Sequence, residues 1–515
     1  MSGTTSSTVV PNRALITVCA MVATLMQALD STIANVALPY MQGSLSATSD
    51  QITWVLTSYI VAAAIMTAPV GWLAARFGRK NLFVTCLIGF TVTSMMCGAA
   101  QSLEQMVVFR LLQGMFGAAL VPLSQSVMLD IYPPEQRGSA MAMWGMGVMV
   151  GPILGPTLGG YLTDAYNWRW VFYVNLPFGI LATLGLLAFL PKAKSNAALK
   201  FDWTGFGALA LGLGALQMML DRGQDKDWFS SNEIIVEAVL GCLGIYLFIT
   251  HLLTAERPFL PPRIFKDRNY SISVATMFMV GMVLLASSAL LAPYLQVLAG
   301  YPVKTAGLTL APRGIGTMAA MLVAGRLSSR VDPRKLMAFG IVLISWSLWN
   351  STTWTPDIPD SDIIMNIMVQ GAGLGFVFIP LQVIAFATID PALRTDGTSL
   401  LSLFRNIGSA IGVSVTSALL ARNEQILHSQ IGAAVTPFNR ALQTGGAVTR
   451  MLNPATAHGA AMLNGMVDQQ TAIIAYLDDF KLMMMTTLPT VFLLMLMRRP
   501  SRTGAAPVDA HAAMD

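Results

Sequence analysis

Residues 52–100 read ITWVLTSYIVAAAIMTAPVGWLAARFGRKNLFVTCLIGFTVTSMMCGAA. Two apolar runs, 52–75 and 81–100, flank a short loop carrying Arg76, Arg79 and Lys80. A helix rising about 1.5 Å per residue needs about 20 residues to cross a hydrocarbon layer of about 30 Å. No charge interrupts either run, and the basic residues fall where the chain would surface. The stretch therefore reads as two membrane-crossing helices joined by a wet turn.

The same block recurs along the 515 residues, which are 54% hydrophobic and 11% charged, against roughly 25% charged in an ordinary soluble domain. Spans are expected near 14–36, 52–75, 81–100, 104–129, 139–163 and 170–191. Others follow near 203–220, 233–254, 271–298, 305–328, 335–355, 361–388, 399–421 and 475–497. The predicted fold class is thus all-α integral membrane with 14 transmembrane helices. One long polar loop, about 422–474, separates the last two. The +5 charge does not imply a nucleic-acid partner, because the basic residues lie in short loops and not on one patch. With both termini cytoplasmic, 20 of the 31 Lys and Arg fall on the inner side, as basic loops do; an even number of spans fits this.

Cys19, Cys86, Cys97 and Cys242 lie in apolar runs without CxxC spacing and the four histidines are scattered, so no metal site is expected. Polar residues 1–12 and the lack of a small-residue cleavage pattern argue against a removed signal peptide. No GxxxxGK[ST] loop for ATP occurs. A membrane-embedded enzyme would need clustered His, Cys or acidic groups at a membrane face, and none is found.

The chain repeats itself weakly. Gly71, Leu73, Arg76 and Arg79-Lys80 are echoed by Gly325, Leu327, Arg330 and Arg334-Lys335; Gln113-Gly114 with Pro122-Leu123 by Gln370-Gly371 with Pro380-Leu381; and Pro134, Arg137, Gly138 and Ser139 by Pro391, Arg394, Gly397 and Ser399. Duplicated halves with the site between them are a common transporter plan. Residues 1–191 form an N-terminal six-helix half, 192–270 an inserted helix pair with flanking loops, and 271–515 a C-terminal six-helix half carrying the long loop.

Among the acids, Asp30 is the one placed most securely inside a span. A charge there costs at least about 2.5 kcal/mol, so it marks function by default. Burial penalises the ionised form and a neighbouring cation favours it, which makes Asp30 able to gain and lose a proton as its surroundings alternate. Its partner is Arg110: Asp30 lies roughly 24 Å from the inner face and Arg110 roughly 9 Å from the outer one, which puts both in the outer half of the layer. A permanently charged pair that only fixes packing is the alternative. Gln27, Ser31 and Asn35, with Thr17 and Thr24, form a polar arc expected to face a central cavity, or to serve interhelical hydrogen bonds alone. The run Gly151-Pro152…Gly155-Pro156…Gly159-Gly160 combines small residues at every fourth position with prolines, giving a kinked, tightly packed surface suited to a gate. Gly71, Arg76, Gly78 and Arg79 are expected to hold an inner gate by pairing with helix ends; anchoring alone explains the charges but not the glycines. Aromatic and polar residues beside these motifs, namely Gln113, Phe376, Phe378, Gln382, Phe404 and Arg405, are the expected cavity lining. Arg313 and Arg405 are further buried cations, able to attract anions or to stabilise the cavity.

Several of these stretches also resemble one family. Leu29-Asp30-Ser31-Thr32-Ile33-Ala34-Asn35-Val36-Ala37-Leu38-Pro39, the 71–80 loop, Arg110-Leu-Leu-Gln113-Gly114, the 147–160 run and 168–177 together look like the major facilitator superfamily, in its fourteen-helix drug:proton antiporters of the EmrB type. The resemblance implies two six-helix halves plus an inserted pair and export of hydrophobic or amphipathic toxic compounds. It implies a proton gradient as the drive, with no cofactor, in a bacterial inner membrane. An EmrA-like membrane-fusion adaptor in the periplasm and a TolC-like outer-membrane channel are the implied partners, with the 422–474 segment as the docking surface. A transporter of one metabolite is the rival. The loop motif usually carries an acid where this chain has Ala75, so the family's inner charge clamp is either absent or built differently here.

Overall fold

The protein is described here from a computed structural model that covers residues 12–192, 196–328, 330–355, 357–436, 442, 451–453 and 455–498. Every regular element among them is helical. We label the main helices α1 Arg13–Ser44, α2 Trp54–Thr67, α3 Val70–Phe77, α4 Arg79–Ala99, α5 Leu103–Gly117, α6 Leu120–Ile131, α7 Arg137–Ala165 and α8 Asn175–Phe189. They continue as α9 Trp203–Arg222, α10 Asn232–Thr254, α11 Arg268–Pro293, α12 Val303–Leu327, α13 Pro333–Ser351, α14 Asp360–Ala385, α15 Arg394–Ala434, α16 Ala457–Thr487 and α17 Thr490–Met495.

Local chemistry sets the breaks. Pro69 donates no backbone hydrogen bond, and α2 and α3 meet there at 59°. Gly78, at φ 84°, takes a left-handed conformation that favours glycine and turns the chain from α3 into α4. Side chains cap the starts: Ser102 accepts from Gln105 N at 3.3 Å, Asp267 from Tyr270 N at 2.9 Å, and Thr456 from Gly459 N at 3.1 Å.

The large apolar side chains that remain exposed, such as Leu181, Leu184, Val239, Leu253 and Phe492, would face lipid, as a multi-pass membrane protein requires. The pair α9–α10 is the least enclosed of the long helices. It is joined glycine to glycine, since a Cβ on Gly244 would fall 2.6 Å from the Gly212 Cα. Cys242 on α10 is exposed and packs no core, whereas Cys86 and Cys97 are buried.

By length and composition, 11 segments can cross a membrane, or 12 if α2 and α3 are one span. The expected spans outside that set are those at α13 and at α16–α17. Ser345, Ser347, Asn350 and Ser351 dilute the first, and the second carries Asp478, Asp479 and Lys481 and is interrupted between α16 and α17 at Pro489. The number fourteen therefore rests on the sequence pattern at those two helices. The expected loop at 422–474 is replaced over most of its described residues by helix: α15 continues to Ala434 and α16 begins at Ala457. Polarity excludes a segment from lipid but not from helix, and two adjacent helices support each other where one alone would be marginal.

Candidate functional site

In α1, Asp30 is 0% exposed, and in α5 Arg110 is 0% exposed. Two unpaired charges in such a place would each cost several kcal/mol, so the surroundings must supply partners. Arg110 Nη1 donates to Asp30 Oδ2 at 2.7 Å and to Gln113 Oε1 at 2.9 Å, while its Nε donates to the Val55 carbonyl at 3.0 Å. Gln113 sits one turn along from Arg110 on the same face, and its Nε2 donates to the other Asp30 oxygen at 2.8 Å. From α8, Asn175 Nδ2 reaches Asp30 Oδ1 at 3.4 Å and the Ser94 hydroxyl at 3.0 Å; Ser94 in turn donates to the Phe172 carbonyl. The guanidinium lies 4.2 Å from the Tyr59 ring centroid, a cation–π contact. Asp30 and Arg110 are thus brought together as the helix arithmetic required. Gln113, expected in the cavity lining, is drawn into the same network. Asn175, Ser94, Tyr59 and the Val55 carbonyl are members of this network that the sequence did not single out.

On α1, Ser31 and Asn35 are exposed and Gln27 is partly so, with Gln27 donating to Tyr59 OH at 3.4 Å. These three form an open polar edge one helical turn from Asp30. The arc's inner members point elsewhere: Thr24 accepts from Trp144 Nε1 at 3.1 Å and Thr17 pairs with Tyr132 at 3.0 Å. The 151–159 glycines of α7 receive α1. A Cβ on Gly151 would lie 2.7 Å from Ala28 Cβ, one on Gly155 2.9 Å from Thr32 Cβ, and one on Gly159 2.8 Å from Ile33 Cγ1; Gly160 meets nothing. The side chains of Pro152 and Pro156 lie outside the described residues. A different face of α7 meets α12: Gly138 is 2.7 Å, from a built Cβ, to the Gly325 carbonyl, and Gly145 is likewise 2.8 Å from Met321 Sδ. The direct contact with the distant part of the chain runs through 138–145 and continues at Ile153, which packs on Gly314 of α12, while the 151–159 glycines themselves serve the helix that carries Asp30.

Elsewhere along that contact Asp130, closing α6, accepts from Arg394 Nη1 at 2.7 Å and is ion-paired with Arg79. Ser126 and Thr395 hydroxyls meet at 2.8 Å and Thr398 donates to the Pro122 carbonyl at 3.0 Å. A Cβ on Gly71 would strike the Asp396 carboxyl group and lie 2.8 Å from its Cα. Each copy of the loop motif thus touches the other copy of the Pro-Arg-Gly-Ser motif: Gly71 meets Asp396 beside Gly397, and Gly325 meets Gly138. An ion-paired cluster of Asp130 with Arg79 and Arg394 thus lies beside the loop motif, which has Ala75 where the family usually carries an acid. Arg76 points away from it, donating to the carbonyls of Ala197, at 2.5 Å, and Leu199. Gly71→Leu should force α3 off α15. The expected result is loss of disulfide formation between Ser126→Cys and Thr395→Cys, scored on a gel, while a control carrying Gly160→Leu, which has room, cross-links normally.

The remaining lining candidates separate. Phe378 stacks on Trp144, with centroids 6.2 Å apart, between the two parts of the chain. Phe376, 200° round α14 from it, packs edge-on against Phe339 at 5.1 Å and belongs to the α13 contact. Gln382 is fully buried with neither amide atom partnered. Phe404 and Arg405 are partly exposed on α15. Arg313 is held by Ser287 and Ser288, each at 2.7 Å.

Comparison with known sequences adds to this geometry. The profile of the Major Facilitator Superfamily matches residues 20–421. The chain is 37% identical over 427 residues to the multidrug export protein EmrB of Escherichia coli strain K12, covering 82% of this chain and 83% of that one. It is 34% identical over 476 residues to the fatty acid resistance protein FarB of Neisseria gonorrhoeae, covering 92% and 94%. Among solved structures, the human organic anion transporter TETRAN superposes with a TM-score of 0.58 at 14% identity, covering 94% of this chain and all of that one, which is a likeness of fold alone.

Proposed function

The chain belongs to the major facilitator superfamily, and on that premise we propose that it is a multidrug efflux antiporter, exporting hydrophobic or amphipathic toxic compounds by alternating access in exchange for protons. The observation that carries the reading is the buried Asp30, held by one cation and two amides at the centre of three helices. A carboxylate in that setting is stabilised almost wholly by its partners, so a proton arriving from outside exchanges one set of bonds for another. Arg110 is not stranded when Asp30 is neutral, because Val55, Gln113 and the Tyr59 ring still hold it. Loss of the ion pair unties α1 from α5, and α1 then resettles against the glycines of α7. The six-helix halves, 1–191 and 271–515 with the inserted pair 192–270 between them, reorient as the Arg79–Asp130–Arg394 cluster opens. Gln27, Ser31, Asn35, Phe378, Phe404 and Arg405 are proposed to meet the drug.

The proposed setting is a bacterial inner membrane with both termini in the cytoplasm, and a periplasmic adaptor and outer channel as partners. The projecting ends of α15 and α16 are the proposed docking surface. The test is reconstitution into proteoliposomes under an imposed pH gradient with several unrelated fluorescent dyes. Each dye should be driven toward the acidic compartment and be recovered chemically unchanged. Transport of a single compound would leave a specialist transporter, and indifference of every dye to the gradient would remove the proton from the mechanism.

A further inference from the structure

Asp30 is surrounded by donors, whereas a proton bound to it needs an acceptor. Arg110 Nη1 donates to Oδ2 at 2.7 Å, while Gln113 Nε2 and Asn175 Nδ2 donate to Oδ1 at 2.8 Å and 3.4 Å. A carboxylate accepts all three. A neutral carboxyl carries an O–H that must itself be accepted, or a buried polar group is left unsatisfied. Gln113 is not free to take it. Its Oε1 already accepts from Arg110 Nη1 at 2.9 Å and from Cys97 Sγ at 3.5 Å, and turning its amide over would set an NH2 group against the guanidinium. Asn175, the first residue of α8, differs in one respect: it is 0% exposed, and its Oδ1 is buried with no hydrogen-bond partner among the described residues. Beside the carboxylate that is proposed to take up a proton there is thus a buried acceptor with nothing bound to it.

We propose that Asn175 is the residue that holds the proton on Asp30: its amide turns over as the carboxyl is neutralised, so that Oδ1 replaces Nδ2 and accepts the new O–H. The proton comes from the outer side and forms its bond at Asp30 Oδ1, because Oδ2 is engaged by the stronger, charge-assisted bond to the guanidinium. Arg110 keeps its own protons, so the pair passes from neutral to singly positive. Asp30 Oδ1 still accepts from Gln113 while it donates to Asn175. The half-turn is balanced, since each orientation leaves one amide atom of Asn175 unpartnered. Ser94 serves both orientations: its hydroxyl now accepts from Asn175 Nδ2 at 3.0 Å, and it can turn from the Phe172 carbonyl, to which it donates at 2.9 Å, to donate to Oδ1 instead. Oδ2, become a carbonyl oxygen, holds Arg110 less firmly, so the tie on α1 passes from α5 to α8. The other titratable groups facing the network are Tyr59 from α2 and Cys97 from α4, and neither bonds to Asp30. The inference rests on the antiport reading and adds to it the group that receives the proton's hydrogen bond.

Infrared difference spectroscopy of the full chain in lipid nanodiscs, titrated from alkaline to acid, tests this without any transport step. The protonated-carboxyl band that is present in the parent and missing in Asp30→Asn reports the protonation of Asp30. Asn175→Leu keeps the branched outline of the side chain but removes the acceptor. The pH of half-protonation should then move about one unit to the acid side, a proton affinity about tenfold lower. The sign decides the matter. If Asn175 served Asp30 only as a donor, its loss would destabilise the carboxylate and move the midpoint to the alkaline side. An unchanged or alkaline-shifted midpoint, beside a parent that titrates, overturns this inference and leaves the antiport reading standing. Asn175→Ala, which puts no bulky side chain at the start of α8, should shift in the same direction and decides the question if the leucine variant does not fold. A parent that shows no Asp30 band at any pH overturns the antiport reading and this inference with it.

Discussion

Asp30→Asn is expected to bind drug within about threefold of the parent and to show no gradient-driven uptake above the level seen without a gradient. The two side chains have the same shape, and the amide oxygen can still accept from Arg110 while its NH2 faces the Gln113 and Asn175 side at the loss of those donated bonds; Arg110 also retains the Val55 carbonyl and the Tyr59 ring. What the amide cannot do is exchange a proton with the outer medium. Downhill drug exchange, which needs reorientation but no proton, should persist in the variant. This pattern separates coupling from structure. If the pair merely fixed helix packing, whatever transport remained would still respond to the pH gradient. Equal gradient-driven transport by parent and variant, measured in the same proteoliposomes, would remove Asp30 from its assigned role.

The Asp30–Arg110 pair was legible because ionisable residues inside apolar runs are rare and because depth along a helix follows from counting at about 1.5 Å per residue. Depth is what sequence spacing encodes; which helices are neighbours, and how each is rotated, it does not encode. That is why Asn175, Ser94 and Tyr59 escaped notice although all three lie in runs read as membrane spans. Each is an ordinary polar or aromatic residue in an apolar setting, given meaning only by the approach of α8, α4 and α2 to α1. The α7 glycines show the same limit. Their spacing announced a close-packed face, yet only the fold shows that α1 lies on it and that the contact with α12 uses Gly138 and Gly145. Asp130 carried a usable signal that was passed over: it is an acid at the end of an apolar run, next to Pro133 and Pro134 and on the side where basic residues gather. The helical extension of α15 and α16 was missed for another reason. Hydropathy reports which residues avoid water, and a helix standing outside the bilayer leaves no mark in it.

Arg110→Met should be strongly destabilising, for a reason distinct from the loss of coupling. Methionine fills a similar volume and suits the apolar surroundings, but it leaves the Asp30 carboxylate 0% exposed with only amide donors. Removing one partner of a buried pair costs about 3–5 kcal/mol, most of it the penalty on the charge left behind. Thermal unfolding followed in detergent should therefore move down by several degrees or, for a weakly folded preparation, yield no folded protein. Combining the change with Asp30→Asn removes that stranded charge, so the double variant should recover most of the lost stability while still failing to couple transport to the gradient. Neighbouring groups that share a network are expected to be strongly non-additive in this way. If the two losses instead simply add, the carboxylate and the guanidinium do not depend on each other in the folded protein. The exchange of partners on which proton coupling rests would then have no energetic basis.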